Sequence, residues 1–497
     1  MNKPAPFALR NLALAALLGV FNVAPVLAED AAPANAAAAP AAETATNNLQ
    51  SLKELDGKPP AHRTLNIQTW KTAEGTKVLF VEARELPMFD MRLTFAAGSS
   101  QDHGTPGIAL ITNAMLNEGV KGKNVGAIAE TFDGLGADFG NGAYRDMAIA
   151  SLRSLSAPDK REPALKLFAE IVGKPTFPAD SLARTKNQLM AGFEYQKQSP
   201  GKLAGLALFN RLYGDHPYAH PSEGTAKSVT PITVAQLKAF HAKAYAAGNA
   251  VIALVGDLSR AEAEAIAEQV SSALPKGPAL PKITEPVEPK AGLTHIEFNA
   301  KQTHLMLAQL GIDRNDTDYV ALTLGNSILG GGGFGSRLMS EVREKRGLTY
   351  GVSSGFTPMQ VQGPFMIGLQ TRAELSENTL KLVQDIVHDF LANGPTQKEL
   401  DDAKRELSGS FPLSTASNSD IVGQLGAIGF YDLPLTYLED FMQQAQSITV
   451  EQVKAAMNKH LSADKMVIVT VGPTIEQKPL PAPIDNPIEQ PLSVPEH

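Results

Sequence analysis

The spacing of apolar and polar positions changes in a regular order along the chain. "KVLFVEAREL" (77–86) is a nearly unbroken apolar run, and "MFDMRLTFAAGS" (88–99) alternates; both predict strands. "GIALITNAMLNEG" (107–119) sets Ile108, Ile111 and Met115 on one face and predicts a helix over 107–118, with a second over 124–135. "DFGNGAYRDMAIASLRSL" (138–155) predicts more strands, followed by several helices and a closing strand. Strands and helices in blocks, rather than in strict alternation, define an α+β class with a largely antiparallel sheet covered by helices.

The pattern then repeats. "ITVAQLKAFHAKAYAAGNAVIALVG" begins at Ile232 and "ITVEQVKAAMNKHLSADKMVIVTVG" at Ile448, and they align without a gap. Each reads as a helix capped by Thr233 or Thr449, a loop and a buried strand. "ALKLFAEIV" from Ala164 matches "TLKLVQDIV" from Thr379 at the same offset to within one residue. The repeat unit is about 210 residues, far longer than the roughly 20–50-residue periods of solenoids, so this is a duplicated domain. The expected organisation is domain 1 over 62–274, a Pro- and Lys-rich linker over 275–291, and domain 2 over 292–475.

The termini differ in character. Residues 1–28 carry Lys3 and Arg10, an apolar run from Leu12 to Val23, and "VLA" before Glu29, the layout of a cleavable secretory signal peptide. The apolar run is broken by Asn22 and Pro25, which favours a signal peptide over a membrane anchor. A bacterial-style signal gives a periplasmic expectation. An Ala/Pro-rich tether follows over 29–61, and a Pro-rich tail closes the chain over 476–497. No other segment has the length and apolarity of a membrane span.

Composition narrows the chemistry. The 497 residues include no cysteine, which excludes disulfides and thiolate metal sites. The formal charge is −8, and becomes more negative once Lys3 and Arg10 leave with the signal peptide. No basic stripe offers a nucleic-acid surface. Ten histidines are present, with one close pair, His216 and His220, flanked by Asp215 and Glu223. A metal site there would need three or four convergent ligands; a turn packed on a neighbouring helix is the plainer reading.

"LGGGGFGSRLMSEVREKRGLTYGVSSGF" is the other candidate. Gly330, Gly331, Gly332 and Gly333 would let backbone approach a ligand, and Ser336 and Gly347 would start and end the helix that follows. No Gly-Lys-Ser/Thr follows, so the loop is not a phosphate-binding one. Arg343 lies seven residues before Tyr350, which would start a strand. A guanidinium and a phenol there could both donate to a carbonyl oxygen or an oxyanion. Alternatively, Arg343 pairs with Glu341 or Glu344 and Tyr350 is core.

This stretch closely resembles the second-domain signature of the insulinase/pitrilysin family of zinc peptidases. "LPMFDMRLTFAAGSSQD" and "KPTFPADSLARTKNQLMAGFEYQKQSP" resemble the family's opening strand and the long helix after its zinc helix. The resemblance covers nearly the whole mature chain and implies duplicated domains facing each other as a shell. It implies zinc chemistry on H-x-x-E-H, with a distal Glu, in domain 1. Aligned on "GIALITNAMLNEG", the two His positions fall on Leu110 and Ala114, the Glu on Asn113, and the distal Glu on Ala191, with Glu194 nearby. Leu and Ala cannot ligate a metal, and Asn cannot take a proton from water. The resemblance therefore implies no cofactor in this chain, with zinc in a partner chain.

By the same resemblance, Arg343 and Tyr350 bind the substrate backbone and support the oxyanion, and the glycine loop lines the groove. The expected function is an exported, non-zinc subunit of a heteromeric peptidase, inactive alone, acting on a peptide substrate. A stand-alone pseudo-peptidase that binds peptides or scaffolds envelope proteins is the rival. A self-sufficient metallopeptidase using His216 and His220 is the third.

Overall fold

In a computed structural model, residues 64–484 are described. The expected signal peptide, the tether and the tail from 485 onward lie outside the described residues.

The first half builds one six-stranded sheet. Its strands are β1 (Gln68–Lys71), β2 (Lys77–Glu82), β3 (Met88–Phe95), β4 (Asp138–Ala143), β5 (Ala148–Leu155) and β6 (Ala250–Gly256), in the order β1-β2-β6-β3-β5-β4. All neighbours are antiparallel except β2 and β6. The second half repeats this core with β7 (Gly292–Glu297), β8 (Gln302–Leu310), β9 (Val352–Phe356), β10 (Pro364–Arg372) and β11 (Val467–Gly472), in the order β9-β10-β8-β11-β7. Here β11 and β7 form the parallel pair, so β7-β11-β8-β10-β9 reproduces β2-β6-β3-β5-β4 in order and direction. The duplicated α+β class is therefore borne out strand by strand.

Besides a single turn over Ala226–Val229, the helices of the first half are α1 (Ile108–Ala114), α2 (Val125–Leu135), α3 (Pro158–Gly173), α4 (Ala179–Gln196), α5 (Pro200–Tyr213), α6 (Val234–Ala244) and α7 (Arg260–Ala273). Those of the second half are α8 (Tyr319–Asn326), α9 (Ser376–Asn393), α10 (Gln397–Ser410), α11 (Asn418–Phe430), α12 (Tyr437–Ser447) and α13 (Val450–His460). The duplicated caps take the expected form: Thr233 and Gln236, like Thr449 and Gln452, close reciprocal capping boxes on α6 and α13.

Each sheet has one face covered by its own helices. Phe89, Met91, Leu93 and Phe95 of β3 pack under α3 and α7. Leu305, Leu307, Phe365 and Ile367 pack under α8, α9 and α13. The other face of each sheet is covered by a helix from the opposite half. Ile421, Val422, Leu425 and Ile428 of α11 join Leu79, Val81 and Val255 of the first sheet. Ala204, Leu208 and Leu212 of α5 join Ala308, Val469 and Val471 of the second. This exchange explains why the alternating β3 is not half-exposed: its polar positions Asp90 and Thr94 are buried, and Arg92 lies against Gly426 of α11.

The linker over 275–291 holds neither helix nor strand. It is tied along the first half: Leu280 N–H donates to Asn249 Oδ1 at 3.0 Å, and Gln101 Nε2 to the Pro281 carbonyl at 3.3 Å. Among the described residues no helix is long and apolar enough to cross a membrane.

Candidate functional site

The helix that sequence comparison makes the zinc helix is α1. Asp102 caps it, accepting from Gly107 N–H at 2.8 Å and Ala109 N–H at 3.0 Å. Gly107 enters the helix at φ 96°, and a Cβ there would sit 2.8 Å from the Glu223 carbonyl oxygen, so only glycine fits. Burial pushes the Asp102 carboxyl up to about 7 against the lowering effect of its two N–H donors.

Asn113 is 2% exposed and fully committed to the fold. Its Nδ2 donates to the Ile149 carbonyl at 3.1 Å and to the Tyr245 hydroxyl at 3.2 Å. Its own backbone carbonyl accepts from Asn141 Nδ2 at 2.6 Å. These bonds together pin α1 to β4 and β5. Around it, Ile108, Ile111 and Met115 pack with Leu182 and Phe193 of α4, with Leu110, Leu189 and Met190 at the rim. Ala114 and Ala191 are exposed. The helices α1 and α4 pack together, but Leu110, Ala114 and Ala191 carry no donor atom. The residues present do not fit a zinc ion. Glu194, the nearby acid, is exposed and pairs with Lys197 at 2.6 Å.

The histidine pair serves the fold. His216 Nδ1 accepts from Tyr218 N–H at 3.1 Å, and its Nε2 meets the Thr284 carbonyl at 2.8 Å. His220 Nδ1 lies 3.2 Å from the Pro221 carbonyl and 3.9 Å from Asp102, over the cap of α1. Both ring nitrogens of His216 are engaged, and neither residue joins a metal-capable group among the described residues. The only such group described is Asp316, Asp318 and His460. There Lys459 Nζ already sits 2.6 Å from Asp318 and His460 Nε2 2.9 Å, which makes it an ion-pair network.

The glycine loop interrupts a helix rather than opening one. From the end of α8 the chain widens into a π-turn over Ser327–Gly331, then tightens over Gly333–Gly335. Three glycines are required by contact with their own chain. A Cβ would sit 2.5 Å from Ser354 Oγ at Gly330, 2.5 Å from Asn326 Nδ2 at Gly331 and 2.7 Å from the Ser327 carbonyl at Gly332. Gly333 has φ 58° and open space around it. Ser336 then caps the next helix, accepting from Met339 N–H at 3.4 Å, and Gly347 at φ 58° ends it.

Arg343 and Tyr350 lie on that helix and just beyond it. Glu341 is taken by Lys345 at 2.6 Å and Arg346 at 2.7 Å, so it does not neutralise Arg343. Arg343 makes no ion pair among the described residues; its guanidinium stacks 4.6 Å from the ring centre of Phe334, at the tip of the glycine loop. Tyr350 is 81% exposed and precedes β9 rather than opening it; the Thr349 hydroxyl accepts from Gly351 N–H at 3.1 Å and holds the turn. Neither plain alternative holds: the arginine is not paired with Glu341 or Glu344, and the tyrosine is not core. No hydrogen bond or ring contact joins the two side chains. Phe334 was invisible to sequence reasoning, because a lone aromatic among glycines carries no periodic signal.

Two interlocked duplicated halves, a zinc helix without ligands and a glycine loop with an adjoining Arg and Tyr define a peptidase-like chain lacking its own metal chemistry. Comparison with known proteins agrees. The family profile described as the peptidase M16 inactive domain matches residues 231–407. The crystal structure of a peptidase M16 inactive domain from Pseudomonas fluorescens is 78% identical; this chain covers all of it, it covers 84% of this chain, and the TM-score is 0.82. The non-peptidase homolog YmxG of Helicobacter pylori is 27% identical over 402 residues, 80% of this chain and 91% of that protein. An uncharacterized zinc protease of Mycobacterium tuberculosis is 28% identical over 322 residues, 64% of this chain and 73% of that one. The chain belongs to the M16, or insulinase/pitrilysin, peptidase family.

Proposed function

We propose that this chain is the exported, non-zinc subunit of a heteromeric insulinase-like metallopeptidase, completing the active site of a partner chain that carries H-x-x-E-H. The observation that carries this reading is the state of Arg343 and Tyr350: one unpaired, the other projecting into solvent. A surface arginine with acids nearby ordinarily pairs with them, and a large exposed aromatic ordinarily finds cover. Two such donors held on a helix and a turn beside an exposed Phe334 are presented outward, where only another molecule can use them.

In the complex, the guanidinium of Arg343 and the hydroxyl of Tyr350 donate to the substrate carbonyl. They hold it more tightly as negative charge gathers on that oxygen, which is the condition for catalysis rather than mere binding. The loop Gly330–Gly333 admits the peptide backbone alongside, and backbone pairing with a sheet edge reads peptide shape more than sequence.

The test is a pull-down of the tagged protein from the periplasm, followed by peptide hydrolysis assays on the recovered complex. An H-x-x-E-H chain in equal amount is the expected result, and Arg343→Ala should lower kcat/KM by about 10²-fold with little change in Tm. Unchanged hydrolysis by the mutant complex would sink the proposal. Recovery of the chain alone would favour the stand-alone pseudo-peptidase.

A further inference from the structure

Between the halves lies a cleft of about 470 Å³ that the reading above does not use. Its walls come from the β4–β5 turn and α5 on one side, and from β8, β10 and the loop around Met359 on the other. The size falls within the range of small-molecule sites. Its lining is largely apolar and unusually rich in methionine: Met147, Met306, Met359 and Met366 all face it. Methionine adapts its shape to flexible apolar guests.

One charge dominates the interior. Arg145 is half-buried and lines this cleft. Its guanidinium rests flat on Phe209, 4.0 Å from the ring centre, and Nη1 reaches the His220 carbonyl at 3.3 Å and Ser222 Oγ at 3.5 Å. Nε and Nη2 make no hydrogen bond, and no carboxylate comes within ion-pair distance among the described residues. The two nearby acids are otherwise engaged. Asp146 accepts from the Tyr218 hydroxyl and from Gln360 N–H at 2.8 Å, and Glu223 accepts from Gln196 Nε2 at 2.8 Å. A second arginine adds to the positive field: Arg92 Nη2 lies 3.9 Å from Met147 Sδ, and its buried Nε has no partner. Lys202 stands exposed at the mouth. A guanidinium largely withdrawn from water without an anion is costly, and its planar edge suits a carboxylate in two-point contact.

We propose that this cleft binds a small amphipathic carboxylate, the carboxyl on Arg145 and the apolar body among the four methionines. An acyl carboxylate and the C-terminus of a short apolar peptide share that chemistry. Gly205 of α5 lines the cleft with open space where a side chain would project, so a larger residue there fills the site without touching the fold.

The experiment is isothermal titration of the full mature chain with octanoate, octanol, acetyl-leucyl-leucine and its C-terminal amide. The acids should bind one per chain, each at least about tenfold tighter than its neutral counterpart, as a hydrogen bond to a charged group predicts. Arg145→Met should bring the acids down to the level of the neutral compounds. Gly205→Leu should abolish binding with Tm unchanged or raised, so the test stands even if Arg145→Met fails to fold. Tighter octanoate assigns the site to acyl chains, and tighter acetyl-leucyl-leucine assigns it to peptide ends. Equal affinity of acids and neutral analogues, no binding by either acid, or undiminished binding to Gly205→Leu overturns the proposal.

Discussion

At the scale of single residues, Asn113 shows how a catalytic position becomes a structural one. In the family's pattern this position is a base that must reach water; here its amide is spent on Ile149 and Tyr245 inside the protein. Asn113→Ala should therefore cost about 1–3 kcal/mol, the penalty of leaving buried partners unsatisfied, read as a lower urea midpoint with m unchanged. Two other buried residues contribute to the pH response. Burial raises Asp102 to about 7 and Asp146 to about 6, while an unfolded aspartate titrates near ~3.9. Between those values the folded chain holds more protons, so these groups make stability rise as pH falls from about 7 to about 4. Glu262 and Glu399, held at about 2 by their serine, threonine and arginine donors, act in the opposite sense. Their stabilisation is present above the unfolded glutamate value and is lost as pH falls towards 2. The buried histidines act against the aspartates: burial lowers His216, His220, His241 and His304, so their share of stability is lost as pH falls through the ordinary imidazole range. Asp146→Asn isolates the aspartate's share: the Tm of the mutant should fall relative to wild type as pH drops from 6 to 4. A Tm difference between wild type and Asp146→Asn that does not grow as pH falls from 6 to 4 would contradict this assignment.

At the scale of elements, periodicity carried the strands and most helices, because each of those segments settles its own apolar face. The caps Thr233 and Thr449 were readable for the same reason: the signal is local. The missing ligands at Leu110, Ala114 and Ala191 were also legible, since a side chain without a donor is absent in any fold. The glycine loop was legible only in part. Four glycines in a row suggest room for a guest, yet Gly330, Gly331 and Gly332 make room for Ser354, Asn326 and Ser327 of their own chain. No local pattern distinguishes those two uses. The distinction can be tested. Gly330→Ala should destabilise the chain by about 1–3 kcal/mol through overpacking against Ser354 and Leu338, whereas Gly335→Ala, with nothing near its Cβ, should leave Tm unchanged. Equal tolerance at both positions would remove the packing explanation and leave substrate access as the reason for the run.

At the scale of the whole molecule, the feature least legible in sequence is the exchange of α5 and α11. Leu208 and Leu425 look like ordinary core positions of amphipathic helices, and nothing local says which sheet they cover. The consequence is cooperativity. Each sheet would leave one apolar face open without a helix from the other half, so the halves cannot melt independently. Trp70, the single tryptophan, sits in β1 against Phe80, with Arg260 over its ring, and so reports the first half alone. Leu400, fully buried in α10, belongs to the second half's own core. Leu400→Ala should cost about 2–5 kcal/mol. The Trp70 fluorescence transition should shift with the far-UV circular dichroism, as one curve. If the dichroism of the mutant falls at a lower temperature while the Trp70 transition stays in place, the halves are separable and the exchanged helices are only a contact. Coincident curves would mean that the duplicated halves survive only as a pair, so that the exposed Phe334 and Tyr350 are carried on one rigid body rather than on a half that can melt by itself.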